Sequence, residues 1–176
     1  VLTSANDKSR LQETLSQYRS CKAYSRTFRS SLRYNSSFVG RDYKQLMQIL
    51  PVCLRSTFDF AENSLLGLTN RCIERVGSLA SLLYMRSISS NVEAYLQKIE
   101  LLTDKLNEVC LTLDNHCIQH NIPPPFVSTA PKTHFLTHLK DDIRRFGLAV
   151  HFETEHGEQF NKFIREELLL TNRHFS

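Results

Sequence analysis

One long helical pattern in the second half of the chain constrains the fold more than any other feature. From Ser90 to about Gln119 apolar residues return at a spacing near 3.5, and Ser90 or Asn91 can cap the start. At 1.5 Å per residue, such a helix is about 45 Å long. An amphipathic helix of this length must bury its apolar stripe against other helices. Three consecutive prolines, from Pro123 to Pro125, end it.

Most of the remaining chain also repeats its apolar residues at helical spacing, and only five Gly and five Pro interrupt it. The sequence therefore predicts a mainly α fold, a helical bundle of about five to seven helices. At most one short strand is expected near the C-terminus, over residues 148–152. The other predicted helices cover residues 7–34 with Asp7 as N-cap, 41–50 with a kink or break at Pro51, 52–60, 63–88, 132–146 and 155–170.

The prolines also suggest how the chain is divided. Residues 1–122 are predicted to form a helical bundle that contains the long helix 90–119. Residues 123–131 form a Pro-rich, extended linker. Residues 132–176 are expected to fold as helix, turn, short strand and helix, packed on the bundle. Gly147 is a suitable C-terminal stop for the first helix of this last part.

Composition excludes several classes of protein. Hydrophobic residues make up 41% and charged residues 23%, which is ordinary for a globular chain and unlike a disordered or collagen-like one. The longest apolar clusters fall far short of the roughly 20 residues that a membrane span needs. The cysteines are odd in number and contain no Cys-x-x-Cys pair, and no leader follows Val1. We therefore expect reduced, mostly buried thiols in a nuclear or cytoplasmic protein that is not secreted.

Positive charge is concentrated at the N-terminal end. The net charge is +4, yet residues 1–60 hold ten Lys and Arg against four Asp and Glu. On a continuous first helix, five of these cations repeat at spacings of three and four, so they would form one stripe. The stripe consists of Arg19, Lys22, Arg26, Arg29 and Arg33. It is either a solvated helix face, a surface that tracks nucleic-acid phosphates, or a site for an acidic protein partner.

Two further groups of side chains could bind a metal. His116 and His120 are four residues apart, as are His134 and His138, although packing or capping is the commoner role of such histidines. Glu153, Glu155 and Glu158 surround the start of the last predicted helix. Carboxylates there either complement the helix dipole or bind a hard divalent cation. No cysteine has the setting of a nucleophile.

Three motifs in the C-terminal part carry a resemblance. They are the Lys-x-His-x-x-x-His segment that begins at Lys132, the Ile-x-x-Phe-Gly turn that ends at Gly147, and the Thr-Glu-x-x-Glu-x-x-Asn helix over residues 154–161. In this order they resemble the C-terminal region of transposon-derived proteins in fungal genomes. The similarity covers about residues 40–174, with Gly40 to Lys44 as a further, looser match.

The resemblance implies a piece of a DDE-type transposase of the CACTA or Plavaka-like class, or a host protein derived from one. Such enzymes catalyse DNA recombination with two metal ions held by three carboxylates. On that analogy Glu155 or Glu158 would be the third carboxylate and would bind Mg²⁺ or Mn²⁺. The first two carboxylates lie on strands, which this chain is not expected to contain.

Three functional hypotheses follow. The first is a transposase-derived helical module that binds DNA or a partner subunit, is not catalytic on its own and needs no cofactor as an isolated chain. The second is a helical protein-interaction scaffold with no nucleic-acid role. The third is the C-terminal part of a metal-dependent DDE transposase or nuclease, completed by a missing upstream catalytic portion. Homo-oligomerisation is compatible with each of them.

Overall fold

Helices pack side by side throughout the described part of the chain. The computed structural model describes residues 4–18 and 28–151. Its α-helices are α1 (Ala5–Gln17), α2 (Gly40–Thr57), α3 (Leu65–Leu83), α4 (Val92–Gln119), α5 (Pro131–Leu136) and α6 (Leu139–Phe146), and 3-10 helices occupy Leu32–Ser37 and Ala149–His151. These ranges contain no β-strand, and the predicted mainly α bundle is confirmed.

The expected strand over residues 148–152 is wrong for the four residues of it that the structure describes. Gly147 ends α6 with a φ of 89°, as its predicted role as a stop requires. The amide of His151 then donates to the carbonyl of Leu148 at 2.9 Å, which closes a tight 3-10 turn. Phe152 lies outside the described residues, as does the predicted helix over residues 155–170.

The first helix is shorter than predicted. Ser4 caps α1 by accepting from the amide of Asn6 at 3.2 Å, so the helix begins before the expected cap at Asp7, and it ends at Gln17. Phe28 is 1% exposed and packs in the same core as Leu11. The prediction of one helix over residues 7–34 is therefore wrong. Residues 28–31 are not helical, and residues 32–34 belong to a 3-10 helix.

Helix α2 continues through Pro51, where a kink or break was expected. It runs to Thr57 and so includes most of the separate helix predicted over residues 52–60. Pro51 has no N–H to donate to the carbonyl of Met47, four residues earlier. Gly77 of α3 packs beside that carbonyl, and a Cβ at Gly77 would lie 3.5 Å from its oxygen. The neighbouring helix thus covers the place where α2 lacks a hydrogen bond.

Helix α3 begins with a close backbone approach. Ser64 caps it by accepting from the amide of Gly67 at 3.1 Å. A Cβ on Gly67 would collide with the carbonyls of Ala61 and Glu62, and it would lie 2.6 Å from the oxygen of Glu62. Gly67 therefore marks a close approach of backbone to backbone at the start of this helix.

Helix α4 forms the centre of the fold and confirms the predicted long helix. It packs mainly against α3, and Tyr95 donates from its hydroxyl to the carbonyl of Leu82 at 3.1 Å. Leu139 and Ile143 of α6 join the same core. The α4 side chains buried in that core are Tyr95, Leu96, Ile99, Leu106, Val109 and Cys110. None of the described helices is long and apolar enough to span a bilayer.

The predicted helix over residues 132–146 is split in two. α5 ends at Leu136 and α6 begins at Leu139. The hydroxyl of Thr137 donates to the carbonyl of His134 at 2.7 Å, a local bond of the kind that competes with helical pairing. Ion pairs then fix α6 on α4, with 2.7 Å between Lys140 and Glu100 and 3.0 Å between Arg144 and Glu93.

Candidate nucleic-acid interface

The structure describes only part of the predicted basic stripe. Arg19, Lys22 and Arg26 lie outside the described residues. Arg29 and Arg33 are exposed, but they follow the end of α1 on a non-helical stretch and a 3-10 helix. A stripe of five cations along one continuous helix is therefore wrong in its geometry, because α1 does not reach Arg29.

Local polar contacts explain why the chain leaves the helical path here. The hydroxyl of Ser30 donates to the carboxylate of Asp42 at 2.6 Å, and Ser31 caps the 3-10 helix by accepting from the amide of Arg33 at 3.3 Å. The carboxylate of Asp42 also accepts from the amide of Val39 at 3.0 Å, which caps α2. Serine side chains often offer such alternatives to helical hydrogen bonds.

Arg33 nevertheless shares a groove with another cation. The 3-10 helix Leu32–Ser37 lies next to α1, and between them is a groove of about 590 Å³. Lys8 of α1 and Arg33 both line this groove, together with Gln12, Glu13 and Tyr34. The remaining lining residues are small or hydroxyl-bearing, apart from Leu32: Ala5, Ser9, Ser16, Ser31 and Leu32.

A partly buried hydrogen bond fixes the two sides of the groove relative to each other. The side-chain oxygen of Gln12 accepts a hydrogen bond from the amide of Leu32 at 2.7 Å. Leu32 also packs against the apolar core formed by α1 and α2. Lys8 and Arg33 are thus presented from two elements whose separation is set by the fold.

The chemistry of the groove suits an oxyanion. Lys8, Arg33, the amide of Gln12 and the hydroxyls of Ser31 and Tyr34 can donate hydrogen bonds to phosphate oxygens, and Glu13 is the single carboxylate among the lining residues. The hydroxyls of Ser9 and Ser16 donate to the carbonyls of Ala5 and Gln12 instead. Tyr34 is 63% exposed and offers an aromatic face at the edge. Lys8 was not singled out in the sequence, since its proximity to Arg33 depends on how the chain folds back after Phe28.

The predicted carboxylate site falls in the C-terminal part of the chain. Glu153, Glu155 and Glu158 lie outside the described residues. Within residues 4–18 and 28–151, no three His, Cys, Asp or Glu side chains come together as a metal site. The histidine pairs are in contact, with ring centroids 4.4 Å apart for His116 and His120 and 5.2 Å apart for His134 and His138.

The described cysteines are free thiols, and most of them are buried. Cys53, Cys110 and Cys117 are buried and Cys72 is half-buried. Burial raises the pKa of the Cys53 thiol to about 11. A hydrogen bond with Cys110, together with burial, raises the pKa of Cys72 as well. The raised pKa values disfavour the thiolate at Cys53 and Cys72.

No family model, curated protein or solved structure matches the chain. The kinship with DDE transposases therefore stays a prediction that depends on the three sequence motifs.

Proposed function

We propose that this chain is a helical module that binds DNA through its N-terminal part and that it is not catalytic on its own. The observation that carries the proposal is the groove between α1 and the 3-10 helix, which is lined by both Lys8 and Arg33. Phosphate contacts by Lys and Arg supply most of the affinity of such proteins and need no base-specific geometry.

Charge around the groove supports the same partner. Residues 1–60 carry an excess of six cations, and three of them, Arg19, Lys22 and Arg26, belong to the segment that joins α1 to Phe28. They follow α1 directly in sequence and belong to the same excess of positive charge. A field of one sign attracts a polyanion and speeds its association.

The exposed ring of Tyr34 extends the range of suitable ligands. A base that is not paired can stack on an aromatic ring, and such stacking contributes about 1–3 kcal/mol per base. The groove would then hold a phosphate between Lys8 and Arg33 while Tyr34 contacts the adjacent nucleotide.

A transposase origin, as the sequence motifs imply, is compatible with this role. Such a module would hold transposon DNA or a partner subunit in the nucleus, and the catalytic portion would be supplied upstream. In that arrangement Glu155 or Glu158 would contribute a carboxylate to a site for Mg²⁺ or Mn²⁺. Loss of metal-dependent cleavage by the complete assembly after substitution of both residues would test this extension.

The alternative is a helical protein-interaction scaffold without a nucleic-acid role. Three apolar side chains on the outward side of α4 favour it, since Leu101, Leu111 and Ile118 are 49%, 53% and 58% exposed. Substitution of Leu111 and Ile118 by Asp would disrupt self-association in sedimentation experiments if α4 contacts a second copy. The same substitutions would leave DNA binding unchanged.

Direct binding measurements distinguish the two hypotheses. Fluorescence anisotropy with a labelled duplex, and with one of its single strands, is recorded from low to physiological salt. The DNA-binding hypothesis expects saturable binding whose logarithmic association constant falls linearly with the logarithm of salt concentration. Absence of binding at low salt, or binding that does not change with salt, would contradict it.

A further inference from the structure

Two imidazoles lie together at the C-terminal end of α4. His116 is in the last turn of the helix and His120 is its C-cap residue. Their ring centroids are 4.4 Å apart and the ring planes are tilted by 42°. His116 is half-buried and His120 is exposed, so a solvent ion has access to both.

The backbone that carries this pair is fixed by a C-terminal capping motif. The amide of Ile122 donates to the carbonyl of Cys117 at 2.8 Å, and the amide of Asn121 donates to the carbonyl of Ile118 at 3.2 Å. Asn121 adopts a φ of 53°, the left-handed conformation that a Schellman motif requires. Ile122 packs against Cys117, which completes the motif with its usual apolar contact. The position of His120 relative to His116 is therefore set by the fold.

The local charge also favours a cation at this end of the helix. A helix C-terminus carries the equivalent of about half a negative charge, because its last carbonyls lack helical donors. α4 has 28 residues, so its dipole is fully developed. A positive ion between the two rings would lie next to this negative end.

We propose that His116 and His120 together bind a divalent transition-metal ion. Neutral imidazole nitrogens are preferred ligands of Zn²⁺, Ni²⁺ and Cu²⁺, and two histidines four residues apart on a helix form the chelating pair of known zinc helices. Within the described part of the chain no third His, Cys, Asp or Glu joins them, so the pair supplies two of the ion's ligands. This inference is independent of DNA binding.

The other histidine pair provides a matched control. His134 and His138 have the same spacing in sequence, but their rings are 5.2 Å apart and nearly perpendicular, at 86°. Thr137 ends α5 between them, and His138 precedes the first residue of α6. His138 is the N-cap residue of α6, so it lies at the positive end of a helix dipole, which disfavours a cation, whereas His116 and His120 lie at the negative end of α4.

The test is a calorimetric titration of the full, tag-free and metal-stripped chain with Ni²⁺ and, separately, with Zn²⁺. We expect one event of one-to-one stoichiometry. His116→Ala and His120→Ala should each weaken the metal affinity by more than roughly tenfold. Loss of a residue that only hydrogen-bonds to a metal ligand already costs about that much. The double variant His134→Ala/His138→Ala should keep the wild-type affinity.

Three results would overturn the proposal: no event in the wild-type chain, an event that survives both single substitutions, or an event that is lost in the control variant. Far-UV circular dichroism establishes that each variant is folded. His120→Gln provides a second variant at an exposed position, where the fold is expected to tolerate the change. If the proposal is correct, His120→Gln weakens the event as His120→Ala does.

Discussion

Ser128 donates two hydrogen bonds to the same carboxylate oxygen of Asp114, from its amide at 2.8 Å and from its hydroxyl at 2.6 Å. The amide of Val127 donates to the other oxygen at 3.2 Å. Asp114 is 4% exposed and belongs to α4. The chain that leads from α4 to α5 is thus held against α4 by one buried carboxylate, at a turn that follows the three prolines.

Substitution of Asp114 by Asn is expected to lower the free energy of unfolding by about 1.5–3 kcal/mol, the usual contribution of hydrogen bonds to a charged group. Ser128→Ala removes the hydroxyl donor and leaves the two amide donors, so its cost should lie at the lower end of that range, about 1.5 kcal/mol. Urea unfolding of both variants at neutral pH measures this. Equal stability of wild type and Asp114→Asn would contradict the role given to the carboxylate.

The same carboxylate predicts a pH dependence. Burial alone raises the pKa of Asp114, but the bonds from Ser128 and the neighbouring amides outweigh it and hold the pKa below its ordinary value of 3.8. Since the folded-state pKa is the lower one, the stabilisation is present above the unfolded-state value and is lost as pH falls through the folded-state value. The difference in stability between wild type and Asp114→Asn should therefore shrink in urea titrations at acidic pH. A difference that grows on acidification would be inconsistent with this sign.

Two glycines of α3 should respond oppositely to substitution by alanine. Ala at Gly67 would collide with the backbone of Ala61 and Glu62, and overpacking of this kind costs about 1–3 kcal/mol. Ala at Gly77 meets only the oxygen of Met47 at 3.5 Å, an ordinary contact. Its better helix propensity should then raise stability by up to about 1 kcal/mol. Thermal unfolding of both variants measures the change in melting temperature relative to wild type. An equal change in the two variants would contradict the close approach at Gly67.

The C-terminal cap of α4 predicts a preference at Asn121. Its φ of 53° is readily adopted by Gly and disfavours Ala. Asn121→Ala should reduce stability by about 1 kcal/mol, whereas Asn121→Gly should leave it nearly unchanged. Chemical unfolding curves of the two variants provide the comparison. A more stable Ala than Gly variant would rule out the left-handed conformation.

Thiol reactivity offers a check on the core. In a Cys21→Ser chain, the thiols of Cys53, Cys110 and Cys117 should not react rapidly with a disulfide reagent at pH 8, because all three are buried and the pKa of Cys53 is also raised. All of them should react after denaturation in urea. Rapid labelling of Cys53, Cys110 or Cys117 in the native chain, located by peptide mapping, would be incompatible with the packing described.

Periodicity predicted the helices well where one side of the helix is buried along its whole length. α4 follows this rule, and Asn91 caps it by accepting from the amide of Ala94 at 3.0 Å. The pattern failed where tertiary contacts compete with local preference. Pro51 remains inside α2, and α1 ends at Gln17 although the apolar spacing continues.

The candidate interface was only partly predictable for the same reason. The excess of cations at the N-terminal end is visible in composition, and Arg33 was singled out. Lys8 is 25 residues away in sequence, and the two line one groove because the 3-10 helix lies next to α1, where Gln12 accepts a hydrogen bond from the amide of Leu32. No spacing rule predicts a contact of that kind.

The most direct test of the account compares the salt dependence of DNA binding for two double variants that remove the same charge. Lys8→Ala/Arg33→Ala removes the two cations of the groove, and Lys98→Ala/Lys105→Ala removes two exposed cations of α4. If both groove cations contact phosphates of a duplex, the first variant should reduce the slope of log K against log salt by about 1.8. The control should leave the slope at its wild-type value. Equal slopes in both variants, or a larger change in the control, would contradict a DNA-binding groove between α1 and the 3-10 helix.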